Sequence, residues 1–167
     1  MDNIGQNPGR QAGIDANPPV TGRPTLRFAV AAFDTWSDAQ KALEVLNAGG
    51  KGLSDVSYLA LERVLAMAGN GKPTVHLFGA TDAAIACSAG PIAECLSARL
   101  ASGAKTLKAA LAGWLIARHA AHMQQLVEDG KILLWVQLFD NDDERRAYQS
   151  LLATSSNSVG VHDLVGA

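Results

Sequence analysis

Two stretches of the chain echo one another: FDTWSDAQKALEVL at residues 33–46 and FDNDDERRAYQSLL at residues 139–152. Each begins on the last residue of an eight-residue apolar run, LRFAVAAF at 26–33 and ILLWVQLF at 132–139. Runs of that length, rich in Leu, Val and aromatics, suit a buried strand better than a helix. The polar clusters that come next, Asp34 to Ser37 and Asp140 to Asp143, supply N-cap oxygens and early carboxylates. Such groups satisfy orphan N–H donors and favour the positive end of a helix dipole, so helices are expected to start there. With the second copy shifted by one position, Ala42, Leu43 and Leu46 match Ala147, Tyr148 and Leu151 as one apolar stripe. Each helix then leads to a short alternating run, VSYLAL at 56–61 and VGVHDL at 159–164, the pattern of a half-exposed strand.

A strand–helix–strand unit used twice predicts an α+β fold of the ferredoxin-like, split βαβ kind, with a four-stranded antiparallel or mixed sheet. The first strand of each unit, apolar on both faces, is expected at the centre, and the alternating second strand at an edge. Between the units lies a long insertion, residues 62–130, read as mainly helical. Asn70-Gly71 is placed to turn a hairpin into a fifth strand, TVHLF at 74–78. Ala80 to Leu100 reads as helical with a break at Gly90-Pro91. A further helix is expected from Lys105 to Asp129, with Gly113 as an interruption and Gly130 as its stop.

Residues 1–24 hold four of the six prolines and few apolar side chains, too little burial to offset ordering entropy. A disordered tail is expected there, followed by a single domain over residues 25–167. The tail lacks the charged start and apolar run of a secretory signal. The most apolar region, Phe78 to Leu115, is interrupted by Asp82, Glu94, Arg99, Lys105 and Lys108, so no membrane span is expected. Net charge is −2 and Lys and Arg are scattered, which argues against nucleic acid as a partner. Cys87 and Cys95 lack metal spacing and read as reduced thiols of a cytoplasmic protein.

Candidate chemistry is sparse. Leu111, Leu115, His119, His122 and Leu126 follow one another at steps of four, four, three and four, which places them on one face of the expected helix. Two imidazoles so spaced can hold a metal or act as acid and base near neutral pH, given a third group that His76, His162, Asp163 or a cysteine could supply if the fold brings it close. His119, His122 and His162 are therefore the ligand or metal candidates, against the plainer reading of histidines hydrogen-bonded at a packing seam. DNDDE at 140–144 lacks the glycine and distal glutamate of a calcium loop and is better explained as helix capping. Gly49-Gly50 and Gly52 follow a helix instead of opening one, so they form no phosphate cradle. No nucleophile elbow surrounds Ser88, Ser97 or Ser102, no catalytic residue is assigned, and no cofactor is implied.

In ILLWVQLF both faces are apolar. If the helices of the repeats cover one face, Leu133, Trp135 and Phe139 lie on the other, a patch that soluble monomers seldom expose. A homodimer is expected to cover it, helped by the insertion helices, and these three residues are the interface candidates.

The segment WLIARHAAHMQQLVED followed by GKILLWVQLFDNDDERRAYQSLLATSSNSVGVHDL resembles the second half of the bacterial heat-induced general stress protein domain of the YflT-like type. FAVAAFDTWSDAQKALEVLNAGG and SDVSYLALE resemble its opening strand, helix and second strand. The resemblance covers Leu26 to Leu61 and Trp114 to Leu164, while GATDAAIACSAGPIAECLSARL departs from that family's short linker. It implies a small cytoplasmic stress-associated protein and carries no assigned functional residues. The expected function is thus a non-catalytic, self-associating stress-type or regulatory protein. The alternatives are a small-molecule or metal sensor around His119 and His122, or a dimeric α/β-barrel-type enzyme with a histidine base.

Overall fold

The computed structural model describes residues 25–68, 73–79, 84–155, 157 and 159–166. The expected tail at 1–24, the Asn70-Gly71 turn and the first part of the expected Ala80–Leu100 helix lie outside the described residues. In chain order the elements are β1 (Thr25–Phe33), α1 (Trp36–Ala48), β2 (Val56–Leu61), α2 (Glu62–Ala68), β3 (Thr74–Phe78) and β4 (Ile85–Ser88). There follow α3 (Pro91–Ala101), α4 (Leu107–Leu111), α5 (Ala117–Glu128), β5 (Ile132–Leu138), α6 (Asn141–Thr154) and β6 (Val159–Val165). Among the described residues the fold is α+β, with six α-helices and one six-stranded sheet in the order β3-β4-β2-β5-β1-β6, every neighbouring pair antiparallel.

The two copies of the echo differ by one residue in their capping. Thr35 caps α1, its Oγ1 accepting from Asp38 N at 3.2 Å, whereas Asp140 caps α6, its Oδ1 accepting from Asp143 N at 2.7 Å. Relative to the shared Phe-Asp, the second helix cap thus comes at Asp instead of the following residue, which is the one-position shift in the apolar stripes. The shift separates the two phenylalanines. Phe33 ends β1 and is fully buried, while β5 ends at Leu138 and leaves Phe139 64% exposed beneath the Lys51 ammonium.

β1 and β5 pair with one another from Arg27↔Leu138 to Phe33↔Ile132, and both are internal strands, as their two-sided apolar patterns lead one to expect, although the centre of the sheet is β2 and β5. β2, expected at a half-exposed edge, is internal and buried along its whole length. The insertion explains the difference: β4 pairs with the free side of β2 through Leu59↔Cys87 and Leu61↔Ile85, and β3 pairs with β4. The sheet therefore has six strands where four, with TVHLF as a fifth, were expected; TVHLF does form β3, and the run 85–88 is strand where Ala content suggests helix. Pairing on both sides overrides local propensity there. Pro91 does open α3, at its first position. The helix expected over 105–129 is two helices, α4 and α5, broken between Ala112 and Ile116.

Helices cover both faces of the sheet. On one face α1, α2 and α6 bury Ala42, Leu46, Leu65, Ala147 and Leu151 against Ala31, Phe33, Leu134 and Val136. On the other, α3, α4 and α5 bury Ile92, Leu96, Leu107, Leu111, Met123 and Val127 against Val30, Leu133 and Trp135. Trp135 is fully buried, edge-on to Phe28 with ring centroids 5.6 Å apart. Leu133 and Trp135 are thus core residues of the chain and not a subunit interface. Helices α3–α5 of the insertion pack on the face that a second subunit was expected to cover. Phe139, the third interface candidate, lies off the strand and away from that face.

Ion pairs hold the repeats together: Lys51 Nζ meets Asp143 Oδ2 at 2.6 Å, and Lys131 Nζ meets Asp34 Oδ1 at 2.8 Å. Arg27 joins Glu144 at 2.7 Å and Asp163 at 2.8 Å. Among the described residues no helix is long and apolar enough to cross a membrane.

Candidate functional site

The break before α5 sets the register of its faces. Its buried positions are Ala120, Met123 and Val127, spaced by three and four, and they pack on the sheet. His119 and His122 flank that stripe, so they lie at the margin of the helix–sheet contact and not in its centre. Leu111 and Leu115, expected on the same helical face as the histidines, instead belong to α4 and the following turn and are core residues.

At the same margin the edge strand β6 contributes His162. Alternation along β6 sends Leu164 into the core beneath α3–α5, and His162, two residues earlier, shares that side. The three histidines, separate in sequence, line one cavity of about 230 Å³ between α5 and the β5-β1-β6 side of the sheet. Its apolar wall includes Val30, Ala32, Leu133, Met123 and Leu126. His119 and His162 meet edge to face, ring centroids 5.7 Å apart and planes at 70°. The fourth histidine, His76, sits on β3 at the opposite sheet edge, paired with Glu62.

Gly160 makes room for this arrangement. A Cβ there would lie 3.0 Å from His162 Nε2, tight enough to push the ring. Neither Gly160 nor the apolar wall was singled out from the sequence. The available signal was weak: a glycine two residues before a histidine in an alternating strand, where a missing side chain can mark close approach of another group. Leu133, expected at an interface, turns out to line the cavity.

Electrostatics favour a neutral imidazole at His162. Burial lowers its pKa below the ordinary value and the neighbouring His119 adds to the effect, while Asp163 opposes it. The folded protein therefore takes up this proton at lower pH than the unfolded chain. Stability associated with neutral His162 is fully present above the unfolded value of about 6.5 and is lost as pH falls through the folded value. Urea midpoints measured between about pH 7 and pH 5 should fall, and His162→Gln should flatten the part due to this residue. An identical slope in the variant would show that His162 does not carry it.

Among the described residues no group of three His, Cys, Asp or Glu side chains is arranged to hold a metal ion. The described residues that line the cavity include no Ser, Cys, Asp or Glu. What the arrangement offers is a small, half-open, largely apolar recess with imidazole nitrogens at its rim. Cys87 and Cys95 are buried elsewhere, no disulfide joins them, and burial pushes the Cys95 thiol pKa up. Comparison of the chain with protein-family models, with curated proteins and with solved structures found no match. The resemblance to the general stress protein domain thus rests on the quoted segments alone.

Proposed function

We propose that this chain is a non-catalytic binding module that takes a small neutral molecule, with an apolar body and one hydrogen-bonding head, into the recess between α5 and β6. The observation that carries this reading is the convergence of three of the four histidines on one cavity with an apolar wall. Binding sites combine apolar lining with a few placed polar groups in this way. A volume of about 230 Å³ suits a compact guest of the size of phenol. Neutral His162 can accept a hydrogen bond from the guest's hydroxyl or donate one to it. The scaffold is read as a ferredoxin-like repeat with an insertion, supported by the strand order β6-β1-β5-β2 within the larger sheet. A cytoplasmic, stress-type or regulatory setting is supported by the resemblance of the two repeat segments. Self-association has no part in this reading, because the exposed sheet face that motivated it is filled by α3–α5.

The test is a titration of isotope-labelled protein with phenol, followed by imidazole and methyl resonances. Saturable shifts at His119, His162 and Met123 are expected, with affinity reduced about two- to tenfold in His162→Ala through loss of one hydrogen bond. Absence of a saturable shift, or equal affinity in the variant, would contradict the proposal. A parallel titration with zinc provides the contrast: stoichiometric binding that moves all three imidazoles would replace this reading with a metal sensor.

A further inference from the structure

A second recess lies at the other end of β6. It measures about 390 Å³ and is bounded by α3, the turn between α4 and α5, and Val165 with Gly166. Cys95, Ala98, Arg99 and Ser102 line it from α3, at a spacing that places them on one helical face. It shares no lining residue with the histidine cavity, and the two lie roughly 15 Å apart along β6 at ~3.4 Å per residue.

Arg99 is held at this recess in three ways. Its Nε donates to Ala110 O at 3.3 Å. Its guanidinium lies over the Trp114 ring, 5.6 Å from the centroid. Gly113 lets the fork settle against the backbone, since a Cβ there would come within 2.6 Å of Nη2. Glycine is needed at 113 for that approach, which accounts for a position that on sequence alone reads only as a helix interruption. The fork is half-buried, yet among the described residues no carboxylate pairs with Arg99 and no acceptor takes its Nη hydrogens. A positioned guanidinium with free parallel donors matches the two oxygens of a planar or tetrahedral oxyanion. The cation–π contact with Trp114 and the bond to Ala110 O reduce the rotamer entropy that a mobile arginine would lose on binding.

We propose that Arg99, backed by Trp114 and Gly113, forms an oxyanion-binding site for the carboxylate or phosphate group of a small ligand, independent of the histidine cavity. The experiment follows the Arg99 Nε–H and Trp114 indole N–H resonances of the full chain during titration with sodium acetate and, separately, with inorganic phosphate, at constant ionic strength. Saturable shifts of both resonances are expected in at least one titration, and the anion that saturates identifies carboxylate or phosphate as the preferred group. Arg99→Lys keeps the charge and loses the fork, so its affinity for that anion should fall about tenfold or more. Gly113→Ala, which displaces the fork while leaving Arg99 in place, should also weaken binding, and it serves if the lysine variant loses its native spectrum. No saturable shift with either anion, or unchanged affinity in a folded variant, would overturn the proposal.

Discussion

Replacing Trp135 with Ala should destabilise the chain by about 3–5 kcal/mol, read as a fall in the urea midpoint, while leaving its mass by light scattering unchanged. The indole is fully buried between the sheet and α3–α5, so its removal would leave a cavity in the core. Trp135→Phe should cost far less, under about 1.5 kcal/mol, because it keeps most of the ring and removes a buried indole N–H that has no hydrogen-bond partner among the described residues. Together these outcomes separate a core tryptophan from an interface one. At an interface, Trp135→Ala would dissociate a dimer and leave the monomer nearly as stable as before. A wild-type chain scattering as roughly twice 17.4 kDa, with dimerisation lost in Trp135→Ala, would contradict the fold described above.

The second large effect is expected at the Lys51–Asp143 pair, which ties the turn after α1 to the first turn of α6. Lys51 is only 7% exposed and Asp143 14%, so each charge depends on the other for compensation. The partners are not equivalent. Asp143 also accepts from Phe139 N at 2.9 Å, whereas Lys51 otherwise has the Phe139 ring face, 4.8 Å away. Asp143→Ala should therefore cost about 3–5 kcal/mol by leaving an uncompensated buried ammonium. Lys51→Met, which keeps the aliphatic stem and leaves Asp143 its backbone donor, should cost less, on the order of 1–2 kcal/mol. In the double variant the losses should not add, and the interaction energy from the cycle should exceed about 1 kcal/mol. A loss below about 1 kcal/mol in Asp143→Ala would show that water already compensates Lys51.

The repeat was legible in the sequence because its signals are local. Eight-residue apolar runs and side-chain caps fix β1, β5, α1 and α6 without reference to the rest of the chain. Even the one-residue slip is visible, and its cause is the change from a Thr35 cap to an Asp140 cap. What failed to show is set by partners distant in sequence. Ile85 to Ser88 sit in an Ala-rich stretch that locally favours helix, and only pairing with β2 and β3 makes them a strand. The alternation of VSYLAL correctly marks a strand but says nothing of its neighbours, so burial by β4 could not be read from it. Trp135 and Leu133 were recognisably on an apolar face, yet whether the cover came from the same chain depended on the course of the insertion.

The candidate site was half legible for the same reason. His119 and His122 announce themselves by spacing, and His162 was included only as a third group the fold was required to bring near. Gly160, Met123 and the apolar wall carry no distinctive sequence signal. The Arg99 fork was missed altogether, since an arginine in an amphipathic helix reads as a solvated charge until Gly113 and Trp114 are seen against it.

The central claim is that His119 and His162 share one cavity wall, and imidazole NMR tests it most directly. A pH titration with nitrogen-detected ring resonances, joined to ring-to-ring proton contacts, should show His119 and His162 in proximity. His162 should titrate below the ordinary histidine value and rise toward it in His119→Gln, since the charge of His119 contributes to the lowering. An absence of contacts between the two rings, with His162 titrating as a free imidazole in both proteins, would contradict the site and the binding function proposed for it.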